Sequence, residues 1–129
     1  MNPFAPQLLA LVAAGGAAGS VLRYATGIWL AGWLGTALPW GTVAVNVVGS
    51  GVIGLLGGLM LGGMPMATEA RLLVITGLLG GFTTFSAFSL DLGTLALRSP
   101  LMAGLYLAMT LLGGLGAFAL CFALGRYLA

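Results

Sequence analysis

Apolar residues run in long blocks along this chain. The blocks are separated by glycine and proline, at Gly35, Pro39, Pro65 and Pro100, more than by charge. Each block is about as long as the ~20 residues a helix needs to cross the hydrocarbon core of a bilayer. The pattern predicts four membrane-spanning helices, at about residues 6–30, 41–61, 69–97 and 101–127. Within the blocks, small and polar residues recur at helical spacing. In the first, Gly15 with Gly19 and Gly16 with Ser20 make small-residue pairs that let helix backbones approach closely in lipid. Arg23 continues the Gly15–Gly19 row. It serves either as a snorkelling residue near the interface or as a positive charge at the mouth of an anion path. In the second block Thr42, Asn46 and Ser50 fall on one stripe, which Gly54 and Gly58 extend. An asparagine in mid-span is costly against lipid, so this stripe must face protein or water. It either fixes packing through an interhelical hydrogen bond or lines a pathway. In the fourth block Tyr106, Thr110, Gly114 and Phe118 share a face, their hydroxyls lining a path or bonding a neighbouring helix.

The third block departs from this pattern. Its middle, TGLLGGFTTFSAFSLD (residues 76–91), sets Gly80 beside Gly81 and then Thr83 beside Thr84. Phe82, Phe85 and Phe88 recur every third residue among Ser86 and Ser89. Each glycine weakens a helix by about 1 kcal/mol relative to alanine, and threonine hydroxyls offer the backbone other partners. Irregular backbone at membrane depth survives only where protein buries it or where it lines a watery path. The block therefore reads as a helix broken in mid-membrane, its first half ending near Gly80 and its second starting near Thr83 or Thr84. Such a break exposes carbonyls on one side and N–H groups on the other. The alternative is a glycine-rich packing face with its phenylalanines turned to lipid or core.

Composition narrows the class. The 129 residues are 60% hydrophobic and 5% charged, with a mean hydropathy of +1.17, against the ~25% charged residues of soluble domains. Four spans nearly use up this length and leave no room for a soluble catalytic domain. The chain reads as one all-α integral membrane domain. Its N-terminus lacks a basic region and is taken as the first span, not as a cleaved signal. No basic cluster points to nucleic acid. No histidine is present, so the commonest metal ligand and general base is absent, and the lone Cys121 has no partner for an internal disulfide. Trp29, Trp33 and Trp40 mark a headgroup-level belt.

With four spans, Arg71 and Arg126 belong to one side, and Arg98 and the end of span one with Arg23 to the other. An even split gives no orientation preference. A chain without bias can insert both ways, and two opposed copies can pair about a two-fold axis in the membrane plane, as inverted repeats do in larger transporters.

The motifs GSVLRY (19–24), GTVAVNVVGS (41–50) and GGFTTFSAFS (80–89) resemble the Fluc fluoride channels, also called the CrcB family. The resemblance spans essentially the whole chain in order and spacing. It implies an antiparallel, dual-topology homodimer with two pores, multi-pass in the plasma or inner membrane and surrounded by lipid. Its activity would be passive export of cytoplasmic fluoride, conferring fluoride resistance, and not an enzyme reaction. By the same resemblance Phe85 and Phe88 line the path, Asn46 contributes from the second helix, and Tyr106 and Thr110 form a polar track on the fourth. Gly114 stands where other members can carry a serine. Thr42 and Arg23 match positions near the ends of the path. A structural sodium ion at the dimer centre falls on the backbone carbonyls of Gly80 and Thr83. The chemistry agrees with this, since fluoride is strongly hydrated and needs replacement donors. Asn46, Tyr106, Thr110 and Ser86 can supply them, and phenyl rings present a positive edge.

Two other readings are open to a small four-helix chain. A dual-topology multidrug transporter coupled to protons needs a carboxylate deep in the membrane. Span one has none, and the only acids are Glu69, at a span start, and Asp91, toward the end of span three. A structural subunit of a larger complex would explain the glycine stripes but not the FTTFSAFS cluster.

Overall fold

The computed structural model describes residues 1–129, all of whose regular structure is helical. The helices are α1 (Pro6–Leu34), α2 (Trp40–Leu61), α3 (residues 68–82), α4 (Ser86–Arg98) and α5 (Pro100–Leu128). Helices α1, α2 and α5, and the stretch Thr68–Arg98 that holds α3 and α4, are each long and apolar enough to cross a membrane. Proline opens α1 and α5, where its missing N–H costs nothing. The Ser99 hydroxyl accepts the Met102 N–H at 3.3 Å at the start of α5. Span one was expected to end near residue 30. It continues through Gly32 to Leu34, and Gly35, with a φ of 80°, then turns the chain.

Two pairs of parallel helices make the frame, α1 with α3 and α2 with α5. Both seams are backbone against backbone. A β-carbon on Gly77 would lie 2.9 Å from the Gly15 α-carbon, so the small-residue row read from the sequence is the α1–α3 contact itself. On the other seam a β-carbon on Gly54 would lie 2.6 Å from the Phe118 carbonyl oxygen. A cluster of Leu38, Phe88, Leu95, Ala103 and Tyr106 ties the pairs together where the 35–39 loop meets α4 and α5. Only 18 of 129 residues are buried. Most of the apolar surface therefore faces lipid or another chain rather than an internal core.

Within α3 the segment Leu72–Leu79 is a π-helix, and the Gly80 N–H reaches back to the Ile75 carbonyl. Such wide turns are uncommon and often accompany functional sites. Regular helix then covers Gly80–Phe82 and ends at Thr83, whose backbone is extended (φ −84°, ψ 158°). Helical structure resumes at Ser86. Residues 83–85 thus lie between two helices, close to the midpoint of the Thr68–Arg98 span.

Arg23 is not near the end of span one. It precedes the end of α1 by about three turns, and its Nε donates to the Gly81 carbonyl at 3.0 Å. Helical side chains lean toward the N-terminus, which brings this guanidinium inward to the level of residue 81. The loop-side arginines are therefore Arg71 and Arg126 on one face and Arg98 on the other.

Candidate ion pathway

The stretch 83–85 has lost its helical ladder, and side chains from two other helices replace part of it. Asn46 on α2 accepts the Thr84 N–H and donates its amide to the Thr84 carbonyl, both at 2.8 Å. One side chain thus stands in for a strand of backbone. The Thr84 hydroxyl accepts the Ala87 N–H at 3.1 Å, capping α4 in the way threonine caps other helices. Thr83 returns both its N–H and its hydroxyl to the Leu79 carbonyl, at 2.9 Å each. Arg23 takes the Gly81 carbonyl. The carbonyls of Gly80, Phe82 and Thr83 accept no hydrogen bond within the chain. A methyl group on Gly49 would run into the Thr83 side chain, so the glycine after the Asn46 turn is what lets α2 lie against the gap.

Beside this gap a concavity of about 250 Å³ is lined by Asn46, Ser50, Thr83, Phe85, Phe88 and Thr110, among others. The Phe85 and Phe88 rings are 5.7 Å apart at 56°, and Phe88 continues to Tyr106 at 5.4 Å and 40°. Phe88 is 5% exposed and Phe85 is 78% exposed. An aromatic ring in mid-span is thus left uncovered by its own chain. The Thr110 hydroxyl is buried and has no hydrogen-bond partner. In an apolar surrounding an unpaired hydroxyl costs about 1–3 kcal/mol. A smaller concavity of about 190 Å³, bordered by Ser50, Gly80 and Thr83, lies alongside.

Thr42 and Tyr106 belong to a different cluster. Both hydroxyls donate to the same Asp91 oxygen, Oδ2, at 2.8 and 3.0 Å. The Tyr106 hydroxyl therefore spends its proton on a carboxylate of the neighbouring helix, one of the two roles its place on the helix left open, and is not the free donor that the resemblance implied. Asp91 borders a vestibule of about 320 Å³ with Thr42, Thr94 and Arg98. Phe88 lines the Phe85 concavity, and Tyr106, packed on Phe88, bonds Asp91 of the vestibule. Ser86 is exposed at the start of α4 and lines neither cavity.

The expected residues therefore divide. Asn46, Phe85, Phe88 and Thr110 meet in one cavity. Thr42 and Tyr106 meet at Asp91, and Arg23 stands at the Gly81 carbonyl. Asp91 was passed over as a residue near a span end. An ionisable group inside an apolar segment was itself the signal.

Residues 10–124 match a family described as CrcB-like protein, Camphor Resistance (CrcB). The chain belongs to the CrcB family. It is 48% identical over 121 residues to a fluoride-specific ion channel, FluC, of Agrobacterium fabrum, an alignment covering 93% of this chain and 97% of that one. A protein of the same name from Rhizobium johnstonii is 57% identical over 99 residues, 76% of this chain and 79% of the relative. One from Rhodospirillum centenum is 47% identical over 111 residues, covering 85% and 88%. The CrcB alignment includes both parallel seams and the whole of residues 80–89.

Proposed function

We propose that this protein is a fluoride channel that lets the anion leave the cytoplasm passively, conferring fluoride resistance. The observation that carries the reading is the cavity where Phe85, Phe88 and Asn46 meet the unpartnered Thr110 hydroxyl beside the helix break. Its support from outside the structure is the relatives' name, fluoride-specific ion channel.

Fluoride holds its water tightly, so a path must offer donors in its place without holding the ion. Asn46 has one amide hydrogen left after bonding Thr84, and Thr110 has its whole hydroxyl. Phenyl edges add weak positive potential, and weak multi-site binding is what conduction needs. No arginine enters the Phe85 cavity, which favours passage over trapping. Asp91 stands across the Phe88–Tyr106 contact, its Oδ2 occupied by two hydroxyls. Hydrogen fluoride crosses a bilayer neutral and ionises inside. An inside-negative potential of 100 mV then supplies about 2.3 kcal/mol per charge for the anion's exit, a roughly 50-fold concentration ratio at equilibrium.

The working unit is an antiparallel homodimer in the plasma or inner membrane. Its support is the exposed Ser86 hydroxyl in mid-span, which makes no hydrogen bond within the chain and which a second chain or water would satisfy. Arginines divided two and one between the faces leave little orientation bias. Gly80 and Thr83, whose carbonyls accept no hydrogen bond within the chain, border the 190 Å³ concavity. These two carbonyls suit sodium, a hard cation that unwound helix carbonyls bind in other membrane proteins. Two carbonyls are few for one ion, and the same pair from an opposed copy would complete the set. Such an ion, when bound, supplies fixed positive charge and cross-links the two breaks.

Efflux from liposomes under a potassium/valinomycin potential, read with fluoride and chloride electrodes, tests the proposal. Fast loss of fluoride without chloride is expected, and Phe85→Ile should abolish it. A folded dimer that passes no fluoride would end the channel reading.

A further inference from the structure

We propose that Ser50 is a pathway residue whose hydroxyl supplies the ion contact at the end of the Phe85 cavity where Gly114 leaves α5 bare. The assignment rests on reading that cavity as the ion path. It starts from hydroxyls that have taken no partner. A serine or threonine in a membrane helix can bond the carbonyl one turn back. Thr26, Thr83 and Ser89 do so, at 2.8, 2.9 and 3.0 Å. Ser50 is half-buried in the middle of α2, with the Asn46 carbonyl one turn back, and its hydroxyl makes no hydrogen bond to it or to any other group of the chain. Thr110 is in the same position on α5.

Geometry gives the free hydroxyls a common target. Asn46 and Ser50 are one turn apart on α2, Thr110 and Gly114 are one turn apart on α5, and all four line the same cavity. One level thus pairs the Asn46 amide with the Thr110 hydroxyl. The next pairs Ser50 with a glycine that has no side chain. A β-carbon built on Gly114 would sit 3.6 Å from Ser50 Oγ and 4.0 Å from the Asn46 carbonyl oxygen. The Ser50 hydroxyl therefore points at the space a residue 114 side chain would use. Ser50 also borders the concavity of the Gly80 and Thr83 carbonyls, so its wall is shared by both cavities.

The same distances supply the test. The 3.6 and 4.0 Å spacings are ordinary contacts for a β-carbon, so Gly114→Ser is the variant that can put a hydroxyl back from the opposite helix. Fluoride efflux would be compared for the wild type, Ser50→Ala, Gly114→Ser and the double variant, each checked as a dimer by size-exclusion chromatography with its thermal midpoint. Ser50→Ala should slow fluoride about tenfold, the effect of losing one hydrogen bond to a charged partner. The double variant should recover most of that loss. Unchanged flux in Ser50→Ala overturns the assignment and leaves the channel reading intact. Slow flux that Gly114→Ser does not rescue, with a lowered thermal midpoint, also overturns it and makes Ser50 a packing residue. Wild-type protein that passes no fluoride removes both claims.

Discussion

The glycine seams and the stretch at residues 80–89 meet the same demand in opposite ways. In lipid each unsatisfied backbone group costs several kcal/mol. Along the α1–α3 and α2–α5 seams the helices stay whole, the backbone satisfies itself, and glycine clears away the side chains between them. At residues 83–85 the ladder is lost, and Asn46 from α2, Thr84 itself and Arg23 from α1 satisfy part of what remains. The carbonyls of Gly80, Phe82 and Thr83 are left free. At Gly15, Gly19, Gly54, Gly58 and Gly77 a seam therefore tolerates no added atom, while the break tolerates no lost hydrogen bond. The first fixes where the chain's parts stand, and the second leaves polar groups available to something that is not protein.

The sharpest way to break this contrast is to add atoms to a seam. Gly19→Leu drives a side chain into the backbone at Leu78 and Phe82, which cannot yield as a side chain could. No monodisperse dimer should survive size-exclusion chromatography. Next comes the brace. Asn46→Asp cannot donate to the Thr84 carbonyl and sets a negative charge in the cavity. Fluoride efflux should fall about 100-fold, as expected for about 3 kcal/mol of lost charge-assisted hydrogen bonding, while the protein still elutes as a dimer. Arg23→Gln keeps a donor for Gly81 but removes its charge from the end of α3. If Arg23 serves the break and not the mouth of the path, flux should fall only about fivefold, the weight of one charge at a helix terminus. Selectivity over chloride should not change. The smallest effect belongs to Thr42→Ala, because Tyr106 still donates to Asp91. It should cost about 1 kcal/mol, read as a lowered thermal midpoint.

How much of this was visible in the sequence follows the same division. The seams were legible because their signal is local and periodic. Gly15, Gly19, Gly54 and Gly58 recur at helical spacing, and close approach is the main thing such rows do in lipid. The irregularity at residues 80–89 was legible from adjacent glycines and threonines. What could not be read was which polar group meets which. Tyr106 and Thr110 look alike on one helical face, yet Tyr106 reaches a carboxylate and Thr110 reaches nothing. That depends on Asp91 of α4 lying across from Tyr106, a contact between residues 15 apart in the chain. Arg23 misled for a related reason. Its place on the packed face was read correctly, but its depth depends on how far α1 continues and on a carbonyl 58 residues away. The π-helical turns of Leu72–Leu79 left no mark in the apolar pattern, since LLVITGLL suits any wound state.

The account's central claim is that fluoride passes the cavity between Asn46, Phe88 and Thr110. It is tested most directly by ¹⁹F-detected dipolar solid-state NMR of conducting protein in lipid, with fluoride present and those residues, together with Thr94 and Arg98, isotopically labelled. The account predicts that ¹⁹F of bound fluoride couples to the Asn46 amide and to Thr110, and that the coupling is lost in Asn46→Asp. Coupling confined to Thr94 and Arg98 in the vestibule, in a preparation that conducts fluoride, would contradict it.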